Sequence, residues 1–140
     1  MKKEIRNKSL RIICIVAAAV IAVALILFGI FEYTAKYKID VIDSSLSFDG
    51  NYELMFQSVG EPDWPFGPSH ARFVLKCNGE VLTKYKLDVF NDGKNLCDAN
   101  WQVLWKDRSV EVLIIGEEQK DVLYSLTFDG DVKIKADNQL

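Results

Sequence analysis

The chain has 140 residues, with 17 Lys and Arg against 20 Asp and Glu for a net charge of −3, and 49% of it is hydrophobic. The length suits one domain, and the composition excludes collagen-like, fully disordered, disulfide-dense and multi-span membrane classes. Charge is unevenly spread: residues 1–38 carry seven bases against two acids, net +5, whereas residues 39–140 carry ten against eighteen, net −8. So acidic a domain repels the phosphate backbone, which argues against a nucleic-acid partner.

Residues 1–11 form a basic segment with Lys2, Lys3, Arg6, Lys8 and Arg11. A run of 20 uncharged residues follows, from Ile12 to Phe31. As a helix it spans roughly 30 Å, the thickness of a bilayer hydrocarbon core. Its apolar character on all sides suits lipid rather than one buried face. A cleaved signal peptide has a shorter apolar stretch and small residues before the cut. Here Tyr33 stands where such a site needs a small side chain, and Cys14 lies too early in the run for a lipid-modified cysteine. Residues 12–31 are therefore predicted to be an uncleaved signal-anchor helix whose partner is the lipid bilayer. Five bases precede the run and only Lys36 and Lys38 follow closely. That bias predicts a cytoplasmic N-terminus with the remainder outside. The short basic segment and single compact domain suggest a bacterial cell membrane.

Residues 32–43 mix charged and apolar side chains and are expected to link the anchor to the domain. From residue 44 to 140 the hydrophobic period is two, the mark of half-buried strands. Seven segments alternate, led by Tyr52/Leu54/Phe56, Ala71/Phe73/Leu75/Cys77, Tyr85/Leu87/Val89, Trp101/Val103/Trp105, Val110/Val112/Ile114, Val122/Tyr124/Leu126/Phe128 and Val132/Ile134. A segment around Leu46–Phe48 is a candidate eighth. Asp49-Gly50, Asn78-Gly79, Asp92-Gly93 and Asp129-Gly130 supply the positive φ angles of tight turns. The predicted fold is an all-β antiparallel sandwich of seven or eight short strands after one transmembrane helix. A sandwich is favoured over a barrel because several strands offer bulky residues on one face only. Ser45–Gly50 and Ser125–Gly130 repeat the pattern hydroxyl-Leu-hydroxyl-Phe-Asp-Gly, read as two strands ending in the same turn rather than as a repeat architecture.

All three prolines lie in Glu61–Pro68, beside Trp64 and Phe66. Proline restricts its own backbone and that of its neighbour, so this loop is stiff. The favoured expectation is that Trp64, Pro65 and Phe66 plug one end of the sandwich. The alternatives are an interaction surface for a partner or contact with the membrane.

Chemistry-bearing patterns are sparse. The one histidine, His70, follows Ser69, but adjacent strand residues face opposite ways and no Gly-x-Ser-x-Gly accompanies them. No Cys/His cluster has zinc spacing. Cys77 and Cys97 are a candidate disulfide in an oxidising compartment, although spacing alone cannot bring them within bonding distance. Asp88, Asp92 and Asp98 near one turn, with Asp129 and Asp131 near another, are weak candidates for calcium, which needs six to eight oxygens. Aspartate in such turns is also expected for backbone reasons. No cofactor is implied. The sequence thus predicts a single-pass, non-enzymatic binding or interaction domain held outside the membrane, able to meet a membrane or envelope protein. The alternatives are a calcium-binding sandwich, a small enzyme using loop carboxylates, or a structural subunit of a membrane complex.

Overall fold

The structure is a computed structural model that describes residues 2–135, with side chains from residue 8 onward. The basic segment is therefore described only in part, and the domain is followed to Lys135.

Helix α1 runs from Lys2 to Lys36. It is long and apolar enough to cross a membrane, and among the described residues nothing in the sandwich packs against its apolar window. The helix outlasts its apolar run because Glu32 and Lys36, one turn apart, form an ion pair. Lys36 also places a cation at the negative end of the helix dipole.

Eight strands follow: β1 Ile39–Leu46, β2 Tyr52–Val59, β3 Ser69–Cys77, β4 Glu80–Val89, β5 Trp101–Trp105, β6 Ser109–Ile114, β7 Val122–Thr127 and β8 Val132–Lys135. They form two antiparallel sheets, each a simple meander, in the orders β1-β2-β3-β4 and β5-β6-β7-β8. The expected all-β sandwich after one apolar helix is thus found, with the eighth strand supplied by β1.

That strand begins at Ile39, inside the stretch expected to be a linker; residues 32–36 belong to the helix instead. The alternation of β1 is broken by a bulge at Ile42, where the register with β2 shifts between Val41 and Asp43. Before the bulge Val41 pairs with outward-facing Gln57, and after it Asp43 pairs with inward-facing Phe56. A bulge of this kind turns successive residues to the other face and hides the period.

The core lies between the sheets, as period two requires. Leu54, Phe56, Phe73, Leu75 and Val89 meet Val110, Val112, Ile114 and Leu126, all fully buried. Phe56 stacks on Trp101 at 5.3 Å and Phe73 meets Tyr124 edge-on at 5.5 Å, so aromatic pairs tie the layers together. One open side is closed by side-chain hydrogen bonds between edge strands. The indole of Trp101 donates to Asp43 Oδ2 at 3.0 Å and that of Trp105 to Ser45 Oγ at 2.9 Å.

The turns match their chemistry. Asn78 (φ 49°) and Gly79 (φ 87°) make the two-residue β3–β4 hairpin. The repeated Phe-Asp-Gly motifs build equivalent turns: Gly50 N–H donates to Ser47 O and Gly130 N–H to Thr127 O, each at 3.0 Å. The hydroxyls of Ser47 and Thr127 then accept from Tyr52 N–H and Asp131 N–H. Both turns lie at the end of the sandwich opposite α1, because β1 leads away from the helix and Phe48 and Phe128 line one cleft.

Candidate functional site

At the end where α1 joins the sandwich lie the β2–β3 loop (60–68), the β4–β5 loop (90–100) and the β6–β7 loop (115–121). The β2–β3 loop is fastened to the helix. Glu61 N–H donates to Ala35 O at 2.9 Å, satisfying one carbonyl that the helix end leaves without an intrahelical partner. Gly60 N–H donates to Lys38 O at 2.7 Å. Gly60 has φ 73°, and a Cβ there would meet Ala35 O at 2.5 Å, so both its conformation and this close approach demand glycine.

Beyond Gly60 the loop folds into a turn closed by Asp63 N–H to Pro68 O at 3.0 Å and Gly67 N–H to Asp63 O at 2.7 Å. Its far side rests on the next loop, where Gly93 N–H reaches Gly67 O at 3.2 Å. Trp64 at the tip is 92% exposed and Phe66 69%. The expected plug is therefore not formed by these residues. Leu96 of the β4–β5 loop, 7% exposed and part of the core cluster, covers this end instead. Buried Asn100 steadies that loop by accepting from Cys97 N–H at 2.9 Å and donating to Ile115 O at 2.9 Å and to Asn91 Oδ1 at 3.2 Å. With the core closed by another loop, Trp64, Pro65 and Phe66 are free to form a surface.

His70, at the start of β3, links this loop to the sheet. Its Nδ1 lies 2.7 Å from Asp88 Oδ1, across the ladder on β4, and its Nε2 lies 3.4 Å from Asp63 Oδ1 on the loop. The hydrogen bond to Asp88 chiefly raises the His70 pKa above its ordinary value, against some desolvation, with Asp63 adding to the rise. The imidazolium donates from both nitrogens and so holds both carboxylates, whereas the neutral ring donates from one only. A raised folded-state pKa stabilises the fold fully below the unfolded value near ~6.5, and that contribution is lost as pH rises through the folded value. The difference in Tm between the natural chain and His70→Gln is therefore expected to be largest in mild acid and to shrink above neutrality. Thermal melts across this range check it, and a pH-independent difference would refute the link. The ring is part-exposed, which keeps the effect small.

Beside His70 lies a polar cleft of about 300 Å³ lined by Lys38, Asp40, Ser58, Glu61 and Asn95. It presents charges that are already paired in part, such as Lys38 with Asp40 at 2.8 Å. Among the described residues no nucleophile is hydrogen-bonded to His70; Ser69 Oγ instead donates to Lys94 O at 2.7 Å.

The structure separates the remaining candidates. Cys77 ends β3 at the far end of the sandwich, whereas Cys97 lies in the β4–β5 loop, whose Lys94 meets Ser69 at the helix end, and both thiols are free. The eight residue steps of strand from Ser69 to Cys77 span roughly 27 Å, so the two cysteines lie well beyond disulfide reach. Asp88 is engaged by His70, Asp92 (φ 54°) shapes a turn, and Asp98 opens a short 3₁₀ turn. Asp129 and Asp131 belong to the β7–β8 turn at the opposite end. The five aspartates thus share no site, and among the described residues no group of three or more His, Cys, Asp or Glu is placed to hold a metal ion.

A second aromatic surface, not singled out by the alternation, occupies the end opposite α1. Phe48 is 96% exposed on the β1–β2 turn, above a cleft with Tyr52, Trp105 and Phe128. Tyr52 and Phe128 stack at 3.8 Å to form its floor. Comparison with protein-family models, curated proteins and solved structures finds no match for this chain.

Proposed function

We propose that the chain is a single-pass membrane protein that holds a non-enzymatic binding domain at the outer face of a cell membrane. The observation that carries this reading is α1, an apolar helix that no described residue of the domain covers, joined to β1 through Tyr37 and Lys38. Exposed to water, such a surface would be strongly unfavourable; in a bilayer it needs no other partner. The five-to-two excess of bases before the apolar run favours a cytoplasmic N-terminus. A binding role is favoured over catalysis because both nitrogens of the one histidine face carboxylates. The outward end of the sandwich would then carry Phe48 and its aromatic cleft, the surface best placed to meet a membrane or envelope protein.

Protease added to intact cells, or to spheroplasts where an outer envelope intervenes, is expected to digest the sandwich and leave a fragment containing α1. On the same cells a photoreactive residue in place of Phe48 is expected to crosslink a protein partner. Full protection of the sandwich, with an N-terminal tag accessible from outside, would reverse the orientation. Digestion without any crosslink would remove Phe48 as the contact.

A further inference from the structure

We infer that the Trp64–Phe66 tip inserts into the headgroup layer of the bilayer that α1 crosses, fixing the sandwich on the membrane surface. The inference rests on the anchor reading and adds a second membrane contact to it.

Depth carries the argument. The apolar run ends at Phe31, and the loop is hydrogen-bonded to the helix at Ala35, four residues on. At about 1.5 Å per residue that attachment lies about 6 Å beyond the apolar run. A bilayer about 40–45 Å thick overall, with about 30 Å of hydrocarbon, has interfacial layers of about 5–7 Å on each side. The loop is thus tied to the helix at headgroup depth. Trp64 follows Glu61 by three residues, a reach of at most about 10 Å of chain, and the turn closure shortens it.

The chemistry of the tip suits that depth. Tryptophan and tyrosine favour the membrane–water boundary, where a ring is half apolar and half polar. Tyr33 on the last turns of the helix and Tyr37 just past its end, both exposed, flank the Ala35 attachment. Inserted at this depth, Trp64 and Phe66 would join the same belt. Among the described residues nothing covers either ring: Trp64 is 92% and Phe66 69% exposed. Of the two acids in the loop, which would oppose an approach to lipid phosphates, Asp63 faces His70 and Glu61 lines the polar cleft with Lys38. The turn closure, the rest on Gly93 and the bond to Ala35 fix the tip before it meets lipid, so little ordering remains to oppose binding. A protein partner is disfavoured for this tip because lipid headgroups already surround its point of attachment.

The test uses the full chain reconstituted in phosphatidylcholine vesicles, with or without lipids brominated near the headgroup end of the acyl chains. Bromine quenches tryptophan on close approach. The expected result is bromolipid-dependent quenching that disappears in Trp64→Ala and returns when Phe66→Trp is introduced into Trp64→Phe. Trp101, buried between the sheets, and Trp105, in the cleft at the end opposite α1, should contribute no bromine-dependent signal. Alkaline carbonate extraction of the same vesicles reports the anchor separately. A chain that resists extraction while Trp64 is unquenched overturns the insertion alone and leaves the loop as a protein-contact surface. A chain stripped by carbonate overturns both the anchor and the insertion. Quenching that persists unchanged in Trp64→Ala also overturns the insertion.

Discussion

Phe56→Ala is expected to destabilise the sandwich by about 3–5 kcal/mol, whereas Trp64→Ala should change stability by no more than about 0.5 kcal/mol. Both substitutions remove a large aromatic ring, and the contrast lies entirely in what surrounds it. Phe56 is fully buried at the centre of β2, stacked on Trp101 and 5.9 Å from Phe73. Removing it forfeits transfer energy and leaves a cavity bounded by residues of both sheets, which cannot collapse without moving a strand. The loss would be a large share of the roughly 5–15 kcal/mol that holds a typical domain together. Trp64, at 92% exposure, has almost no packing to lose. Urea melts of the full chain in mild detergent, followed by the emission of the remaining tryptophans, compare the two. A cost of several kcal/mol for Trp64→Ala would mean that its ring packs into the folded domain after all, as a plug. A cost below about 1 kcal/mol for Phe56→Ala would contradict its place in the core.

The parts of this fold that were legible in the sequence are those where local chemistry and tertiary packing agree. Val110, Val112 and Ile114 alternate because every second residue of β6 faces the opposite sheet, and all three are fully buried. Asn78-Gly79 marks a hairpin because both residues occupy positive φ. Legibility failed where a single residue shifts the register or where a contact joins distant segments. The Ile42 bulge made β1 look like a charged linker. Leu96 closes one end of the core from within Asn95-Leu96-Cys97, a polar stretch with no period to reveal it. The three prolines correctly marked a loop held in one shape, but stiffness does not say whether its aromatics turn inward or outward. Here the longer β4–β5 connection covers the open end through Leu96 and leaves the aromatics of the β2–β3 loop outside. The cysteine pairing failed for a topological reason: two successive meanders put the end of β3 and the end of the β4–β5 loop on opposite ends of the sandwich. The length of that connection, residues 90–100, was the available signal that one sheet ends at β4 and another begins at β5.

The second large effect is expected at Trp101, where a core aromatic is also the fastening between two edge strands. Trp101→Ala should cost about 3–5 kcal/mol, since its ring is nearly buried and stacks on Phe56 across the sheets. Trp101→Phe keeps much of that ring and loses the N–H that donates to Asp43 Oδ2 at 3.0 Å, so it should cost clearly less. Asp43→Ala leaves the indole N–H without its partner, a cost of about 1–3 kcal/mol for a buried donor. These two milder changes remove opposite ends of one hydrogen bond. Combined, Trp101→Phe and Asp43→Ala should therefore cost less than the sum of the single variants, and a double-mutant cycle from urea melts reads the difference. Strict additivity would show that the bond contributes no coupling and that Trp101 acts only through its ring. The coupling matters beyond stability. β1 and β5 are edge strands, whose unpaired backbone groups invite another chain to add a strand. The bulge at Ile42 turns Asp43 and Ser45 toward the opposite sheet, where the two indoles of β5 meet them. The bulge therefore disrupts the edge and supplies the polar groups that fasten it to the facing sheet. If that device protects the domain, Asp43→Ala should also promote concentration-dependent self-association of the detergent-solubilised chain under native conditions, whereas Trp64→Ala should not.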